Sequence, residues 1–365
     1  MAPLKSSLAK TAKQLLGLRN TADLGLRGAT QSTRFVDPPF EASGGNVANG
    51  LAPGNGYKYH TFTSPGTLTL SGNQIALEVL MVAGGGGGGV ADTPSGTDGG
   101  AGGGAGGLIY VPGYEFAAGD HTITVGSGGA GVPLASSPQG VDLASAKGGN
   151  TTWGSLLTAI GGGGGGSGPS GGPANTQAPF GSGGGQGGGG SGPHPTDHKG
   201  TGSQPGAPQN IPAPSYSQYG NPGGAADNSA PHAGGGGGGA GGAGGSGNGD
   251  GNSRDGGLGR QYPQFAGPLI GLPALNPLNG YFAGGGAGGG GGPGGDATIT
   301  HGADRAGGGG SVGSGGTPLE GQPAVDGTGS GGGANSGRWN PGHSGTMGPG
   351  GDGGNGIVIV RYPVS

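Results

Sequence analysis

Several short stretches, in which apolar residues alternate with polar ones or run together, predict β strands. Tyr57, Tyr59 and Phe62 open the first stretch, which stops at Ser64-Pro65-Gly66. Residues 67–70 alternate Thr and Leu, whereas residues 75–82 are apolar on both faces except for Glu78, as suits a central strand. Further strands are predicted at 108–111, 121–125, 153–160 and 357–362. This number and spacing of strands predict an all-β fold, a small antiparallel β-sandwich.

Before the strands, one segment has helical periodicity. Four leucines recur at helical spacing around Ala12, and they are Leu4, Leu8, Leu15 and Leu16. Lys10 and Lys13 lie on the opposite face of the predicted helix, and Gly17 suits its stop position. We expect a short N-terminal α-helix that docks this leucine stripe into a groove of a partner. The alternative is a solvated terminal helix. We assign residues 1–34 to a basic attachment segment and 35–56 to an extended linker.

Glycine accounts for 110 of the 365 residues and forms uninterrupted runs at 84–89, 161–166 and 234–239. Such a chain either remains a flexible linker or packs bare backbones side by side in extended threefold helices. The runs start directly after apolar anchors such as Met81-Val-Ala83 and Ala159-Ile160, and charge is sparse. We therefore predict a bundle of polyglycine-II helices at 161–355, inserted into a sandwich formed by 57–160 and 356–365.

Charge is unevenly distributed along the chain. The net charge is −4, and residues 1–34 carry six basic residues against Asp23, a net +5, which leaves −9 for the remainder. Basic residues are too few beyond the N-terminal segment to indicate nucleic-acid binding. No stretch approaches the roughly 18 apolar residues of a membrane span, and none resembles a signal peptide. We expect that the protein is made in the cytoplasm and does not insert into a membrane.

The sequence offers no convincing catalytic or cofactor motif. Residues 168–172 match the nucleophile-elbow string without its strand-turn-helix context, and no Gly-Lys pair exists for a phosphate-binding loop. There are no cysteines, and His194, Asp197 and His198 are more simply explained as a polar loop tip than as metal ligands. We therefore expect a protein that is not an enzyme and that carries no cofactor or metal.

What remains is recognition by aromatic side chains of the inserted region. Aromatic rings supply large contact areas at low entropic cost. The candidate receptor-binding residues are Tyr216, Tyr219, Tyr262, Phe265 and Trp339. The alternative is that half or more of the insert's aromatic residues pack against the glycine helices or between subunits. Residues 260–282 form an apolar island broken by prolines, which we interpret first as a satellite core or subunit contact and next as a receptor-facing tip.

Six motifs recur along the strands and their borders: Tyr59-His-Thr-Phe-Thr-Ser-Pro-Gly66, Leu77-Glu-Val-Leu-Met-Val-Ala-Gly-Gly85, Gly106-Gly-Leu-Ile109, His121-Thr-Ile-Thr-Val-Gly126, Gly149-Asn-Thr-Thr-Trp-Gly154 and the closing Gly353-Gly-Asn-Gly-Ile-Val-Ile-Val-Arg-Tyr362. In this order they resemble the glycine-rich domain of bacteriophage tail-fibre and virion proteins. The region is also similar to the glycine-rich domain of certain receptor tyrosine kinase ectodomains, but the lack of cysteine favours the phage branch. The resemblance implies a β-sandwich with an inserted polyglycine-II bundle.

The resemblance and the composition together predict a structural protein of a phage particle. We expect a tail fibre or fibre-like adhesin, docked to other virion proteins by its N-terminal segment and exposed on the particle. Its expected partner is a host-surface receptor, a glycan or an outer-membrane protein, and we expect a homo-oligomer, with a trimer as the starting guess. The alternatives are a decoration or tail-assembly protein without a receptor role, and an extracellular or cell-wall glycine-rich protein.

Overall fold

The computed structural model describes residues 38–91, 99–133, 145–167, 181–182, 200–202, 204, 209–226, 232–247, 254–290, 320–336 and 348–364. Residues 39–365 belong to one compact unit. The regular elements of the described residues are β strands and short 3₁₀ helices, so the predicted all-β class is confirmed. The predicted N-terminal helix lies outside the described residues. The 3₁₀ helices are Pro263–Phe265, Gly267–Ile270 and Pro273–Leu278, and the strands are β1 (Glu41–Ser43), β2 (Ala48–Leu51), β3 (Tyr57–Phe62), β4 (Gly66–Ser71), β5 (Leu77–Val82), β6 (Leu108–Tyr114), β7 (Gly119–Thr124), β8 (Thr151–Trp153), β9 (Leu157–Ala159), β10 (Ser217–Tyr219), β11 (Arg260–Gln261), β12 (Tyr281–Phe282) and β13 (Ile357–Pro363).

Two antiparallel sheets pack face to face. One has the strand order β1-β4-β7-β8-β9, and the other has the order β10-β6-β5-β13-β3-β2. Their facing side chains form the first core, in which Trp153, Leu70 and Ile123 from one sheet meet Met81 and Val358 from the other. The closing strand β13 lies between β5 and β3, so the last strand of the chain is at the centre of the larger sheet.

The larger sheet is buried on both faces. In β13, Val358 and Val360 point into the first core, whereas Ile357 and Ile359 belong to a second core. The second core is covered by the apolar island at 260–282, whose buried members include Phe265. This burial on both faces explains why β5 and β13 are nearly continuous apolar runs, whereas β4 alternates Leu68 and Leu70 with threonines.

The predicted linker at 35–56 is wrong where β1 and β2 lie, at 41–43 and 48–51. β1 pairs with β4 of the smaller sheet and β2 pairs with β3 of the larger one. The chain crosses between the sheets at Gly44 and Gly45, whose φ angles of 124° and 109° are left-handed backbone that favours glycine. His60 holds this corner, because its Nδ1 lies 2.7 Å from the carbonyl oxygen of Gly44.

The insert also contributes to the sandwich. β10, at 217–219, extends the larger sheet beside β6. Two glutamines then satisfy the edge of β9: Gln209 Oε1 accepts from the amide of Thr158 at 2.8 Å, and Gln204 Oε1 accepts from that of Ile160 at 2.7 Å. Both glutamines donate to Gln218 Oε1 on β10. These side-chain amides join the β9 edge of the smaller sheet to the β10 edge of the larger one.

The glycine run 84–89 lies at the centre of a hydrogen-bonded lattice. Its successive N–H groups donate to three different segments and repeat after three residues. The acceptors are Gly149 and Ala146 for Gly84 and Gly87, Gly354 and Gly351 for Gly85 and Gly88, and Gly104 and Ala101 for Gly86 and Gly89. Its carbonyl groups accept from three other segments, at 129–132, 162–165 and 332–335. This three-residue period is that of an extended threefold helix, which has no internal hydrogen bonds.

A second segment, 100–107, follows the same rule. Its N–H groups donate in turn to 329–335, 160–166 and 235–238, again with a period of three. Neighbouring segments lie very close together. A Cβ added at any glycine of the run 84–89 would come within 3.0 Å of a facing carbonyl oxygen. Glycine is therefore required by the approach of backbones. The predicted boundary at 161 is also wrong, because the central segments 84–89 and 100–107 precede it.

We expect Gly86→Ala to destabilise the fold strongly. The new methyl group would meet the carbonyl oxygen of Gly163, and relieving such overpacking costs about 1–3 kcal/mol or more. Gly242→Ala is the matched control, because the nearest atom to its added Cβ is the amide nitrogen of Leu258 at 3.8 Å. Chemical unfolding should give G86A a clearly lower free energy of unfolding and G242A a value within about 1 kcal/mol of wild type. Equal losses in the two variants would contradict the close-packed lattice.

Candidate functional site

The glycine segments run between the sandwich and one opposite end, which we call the far end. At the sandwich, Ala83 donates to the carbonyl oxygen of Gly107 at 3.0 Å. Six residues further along, Gly89 donates to Ala101 and accepts from Asn335, at 2.8 and 3.2 Å. The segments begin and end at matching levels, so their ends form a common surface.

Side chains close the lattice at the far end. The fully buried Asn335 accepts from the amide of Ala91 through Oδ1 and donates to the carbonyl oxygen of Gly348 through Nδ2, at 2.5 and 2.6 Å. Ser167 Oγ accepts from the amide of Val90 at 2.7 Å. These bonds satisfy backbone groups at the ends of the segments, as caps do at helix ends. They tie together segments that are up to 244 residues apart in sequence.

Many of the described segments reach the far end of the lattice. The segments on both sides of residues 92–98, 134–144, 227–231, 248–253, 291–319 and 337–347 reach it, as their hydrogen-bonded levels indicate. These six ranges contain seven aspartates against Arg305 and Arg338. In composition these ranges are therefore acidic.

Four of the five candidate receptor-binding residues serve internal packing. Tyr262 and Phe265 are 8% and 0% exposed in the second core, so their assignment to receptor contact is wrong for this structure. Tyr216 is half-buried against the first core, and the guanidinium of Arg260 lies 3.6 Å from the ring centre of Tyr219. The apolar residues of the proline-rich island, Tyr262 and Phe265, pack against the larger sheet. Trp339 lies outside the described residues, as do the docking candidates Leu4, Leu8, Lys10, Lys13, Leu15 and Leu16.

A polar cluster that the sequence reasoning missed lies on the outer face of the larger sheet. Glu78 Oε2 accepts from Nε of Arg361 at 2.6 Å, between neighbouring strands β5 and β13. Glu78 Oε1 accepts from the Tyr110 hydroxyl at 2.7 Å and from Gln264 Nε2 at 2.9 Å. The signal in the sequence is one charged residue in each of two apolar strands, Glu78 in β5 and Arg361 in β13, with charges of opposite sign. Gln264 lies in the 3₁₀ region, so the cluster fastens the apolar island to the sheet.

Aromatic rings shield this polar cluster from solvent, and burial changes the pKa of its tyrosine. The Arg361 guanidinium lies 4.2 Å from the ring centre of Tyr57 and 5.5 Å from that of Phe265. Burial, together with the hydrogen bond to Glu78, raises the pKa of Tyr110 to about 12. A paired, hydrogen-bonded ion pair of this kind fixes orientation more than it adds stability. We interpret it as a structural clamp.

Comparison with known families gives one finding. A family model described as a glycine-rich domain matches residues 61–363. A search of curated proteins finds no match.

Within the described part of the chain, no group of three His, Asp or Glu side chains could hold a metal ion. Over the same residues, no helix is long and apolar enough to cross a bilayer.

Alkaline titration tests the clamp. The unfolded chain ionises its tyrosines near pH 10, whereas the folded chain holds the Tyr110 proton to about pH 12. The stability that this difference contributes is fully present below pH 10 and is lost as the pH rises through 12. Tyr110→Phe should therefore reduce the fall in free energy of unfolding between pH 9.5 and 11.5, measured by urea unfolding. Tyr281→Phe, whose hydroxyl has no bond to Glu78, is the control. An unchanged slope in Y110F would refute the assignment.

Proposed function

The chain belongs to the glycine-rich domain family, and we propose that it is a non-enzymatic structural protein of a phage particle, a tail fibre or fibre-like adhesin. The observation that carries the proposal is the far end of the lattice. The described residues on both sides of six further ranges of the chain lie at this end, on close-packed backbones opposite the sandwich. Binding surfaces are commonly built on loops that a rigid scaffold positions. The arrangement suits contact with another surface better than it suits catalysis.

The lattice also suits exposure on a particle. Neighbouring segments shield the backbone–backbone hydrogen bonds of the lattice from solvent. Closely packed glycines also present few side chains that a protease could recognise. We propose that residues 1–34, with a net charge of +5, attach the protein to other virion proteins. The domain then faces outward, and its far end meets a glycan or an outer-membrane protein of the host.

A specific observation favours a second candidate, a decoration or tail-assembly protein without a receptor role. Tyr216, Tyr219, Tyr262 and Phe265 are engaged in packing, which leaves Trp339 as the remaining aromatic candidate for receptor contact. The two candidates share the attachment segment and differ in whether the far end binds the host. They are separated by adsorption measurements.

Deletion of residues 1–16 tests the attachment. We expect particles that lack the protein, because the leucine stripe and its lysines are removed, while the deleted chain keeps the wild-type unfolding midpoint. Immunoblots of purified particles give the first result, and thermal unfolding of the isolated protein gives the second. Wild-type amounts of the truncated protein on particles would contradict attachment through this segment.

Trp339→Ala tests host contact. If Trp339 contacts the receptor, we expect at least about a tenfold lower adsorption rate, because aromatic anchors of binding interfaces are commonly worth 2 kcal/mol or more. The control is Val364→Ala, an exposed residue at the end of the sandwich, 47% accessible, which should leave adsorption unchanged. Both variants should incorporate normally into particles. Unchanged adsorption of W339A would favour the decoration role.

A further inference from the structure

Residues on the outer segments of the lattice are exposed with a period of three. In 348–356, the sequence GPGGDGGNG has Pro349, Asp352 and Asn355 as its non-glycine residues, and these alone in the segment are exposed or half-buried. In 126–131, Ser127 and Ala130 are exposed, Gly128 and Gly131 are half-buried, and Gly126 and Gly129 are buried. Each outer helix therefore turns one of its three rows of residues to solvent, and that row carries side chains.

The same outer segments leave backbone groups unpaired. Gly129 donates to Gly85 inside the lattice, and Gly128 and Gly131 donate to the side chains of Asn355 and Asp352, both at 2.8 Å. The N–H groups of Ser127 and Ala130 have no partner among the described residues. Like the edge of a sheet, this row could receive another backbone.

A second outer segment has the same character. In 241–247, Gly244 and Gly245 donate to Pro222 and Asp255, at 3.1 and 2.9 Å. The N–H groups of Ala243 and Ser246, both exposed, have no partner in the described chain. The central run 84–89 has segments on all sides, whereas no described segment accepts from the N–H groups of these exposed rows.

A nearly bare glycine helix is an occupant that fits such an edge. Inside the lattice, a Cβ at Gly84 or Gly87 would run into the carbonyl oxygens of Ser127 or Ala130, so neighbouring helices must be nearly bare. A second copy of this chain supplies such a helix in its own outer segments, and both parallel and antiparallel neighbours already occur in the lattice. An added helix would continue the existing lattice contacts across the boundary between two copies.

We propose that the side chains in the exposed rows end the lattice and prevent a second copy from extending it. The side chains of Ser127, Ala130 and Ala243 occupy the space that a neighbouring carbonyl oxygen would need, whereas Ser246 Oγ accepts from the amide of Ala225 inside the lattice at 3.0 Å. Asp352 and Asn355 add a second device, because they bond N–H groups that would otherwise face a partner. Copies of the protein thus stay separate along the flanks of the lattice, and bare glycine is confined mostly to its interior.

The test removes the Cβ atoms on each edge separately in the full-length chain. Ser127→Gly with Ala130→Gly is one variant, and Ala243→Gly is the other. We expect each to self-associate with rising concentration, to at least twice the wild-type mass by sedimentation velocity. Control variants that keep a Cβ, Ser127→Ala with Ala130→Ser and Ala243→Ser, should keep the wild-type mass.

Thermal unfolding establishes which variants are folded, and two independent edges ensure that at least one comparison can be made. Association of a folded glycine variant, without association of its control, supports the proposal. Wild-type mass for the folded glycine variants at all concentrations would overturn it. Association of the controls to the same extent would also overturn it, because it would show that the Cβ atom is not what ends the lattice.

Discussion

The backbone hydrogen bond between adjacent glycine segments is the interaction on which this structure depends. Each bond contributes only about 0.5–1.5 kcal/mol, and ordering glycine is costly, so the bonds must be numerous and mutually supporting. The run 84–89 meets this condition by donating in three directions and accepting from three others. The absence of Cβ atoms lets the segments approach this closely, and it is also why a single added methyl group in the interior is expected to be so damaging.

The sandwich provides the fixed points from which the lattice starts. Val82 and Ala83 precede one glycine segment, Ile160 precedes another, and Phe282 with Ala283 precedes a third. These residues are buried in the sandwich or at its border, so each segment begins at a defined position. The closing strand β13 returns the chain to the middle of the larger sheet, between β5 and β3.

The sequence allowed the longer strands, the sandwich and the packing role of glycine to be predicted, because alternation and apolar anchors are local signals. It did not reveal β1, β2 and β10, which have three or four residues and little apolar character and are held by pairing with distant strands. The Glu78–Arg361 pair spans 283 residues, and the burial of Tyr262 and Phe265 depends on which surface the island covers. The exposed rows were readable in principle, since GPGGDGGNG displays the three-residue period directly.

Amide hydrogen exchange tests the central claim most directly. If glycine segments form a hydrogen-bonded lattice, the amides of Gly86, Gly88 and Gly103 should exchange orders of magnitude more slowly than random-coil glycine, because each donates to a buried carbonyl oxygen. The amides of Ala130 and Ala243, in the exposed rows of the same lattice, should exchange rapidly. Random-coil exchange across 84–89 and 100–107 in the folded protein would contradict the account.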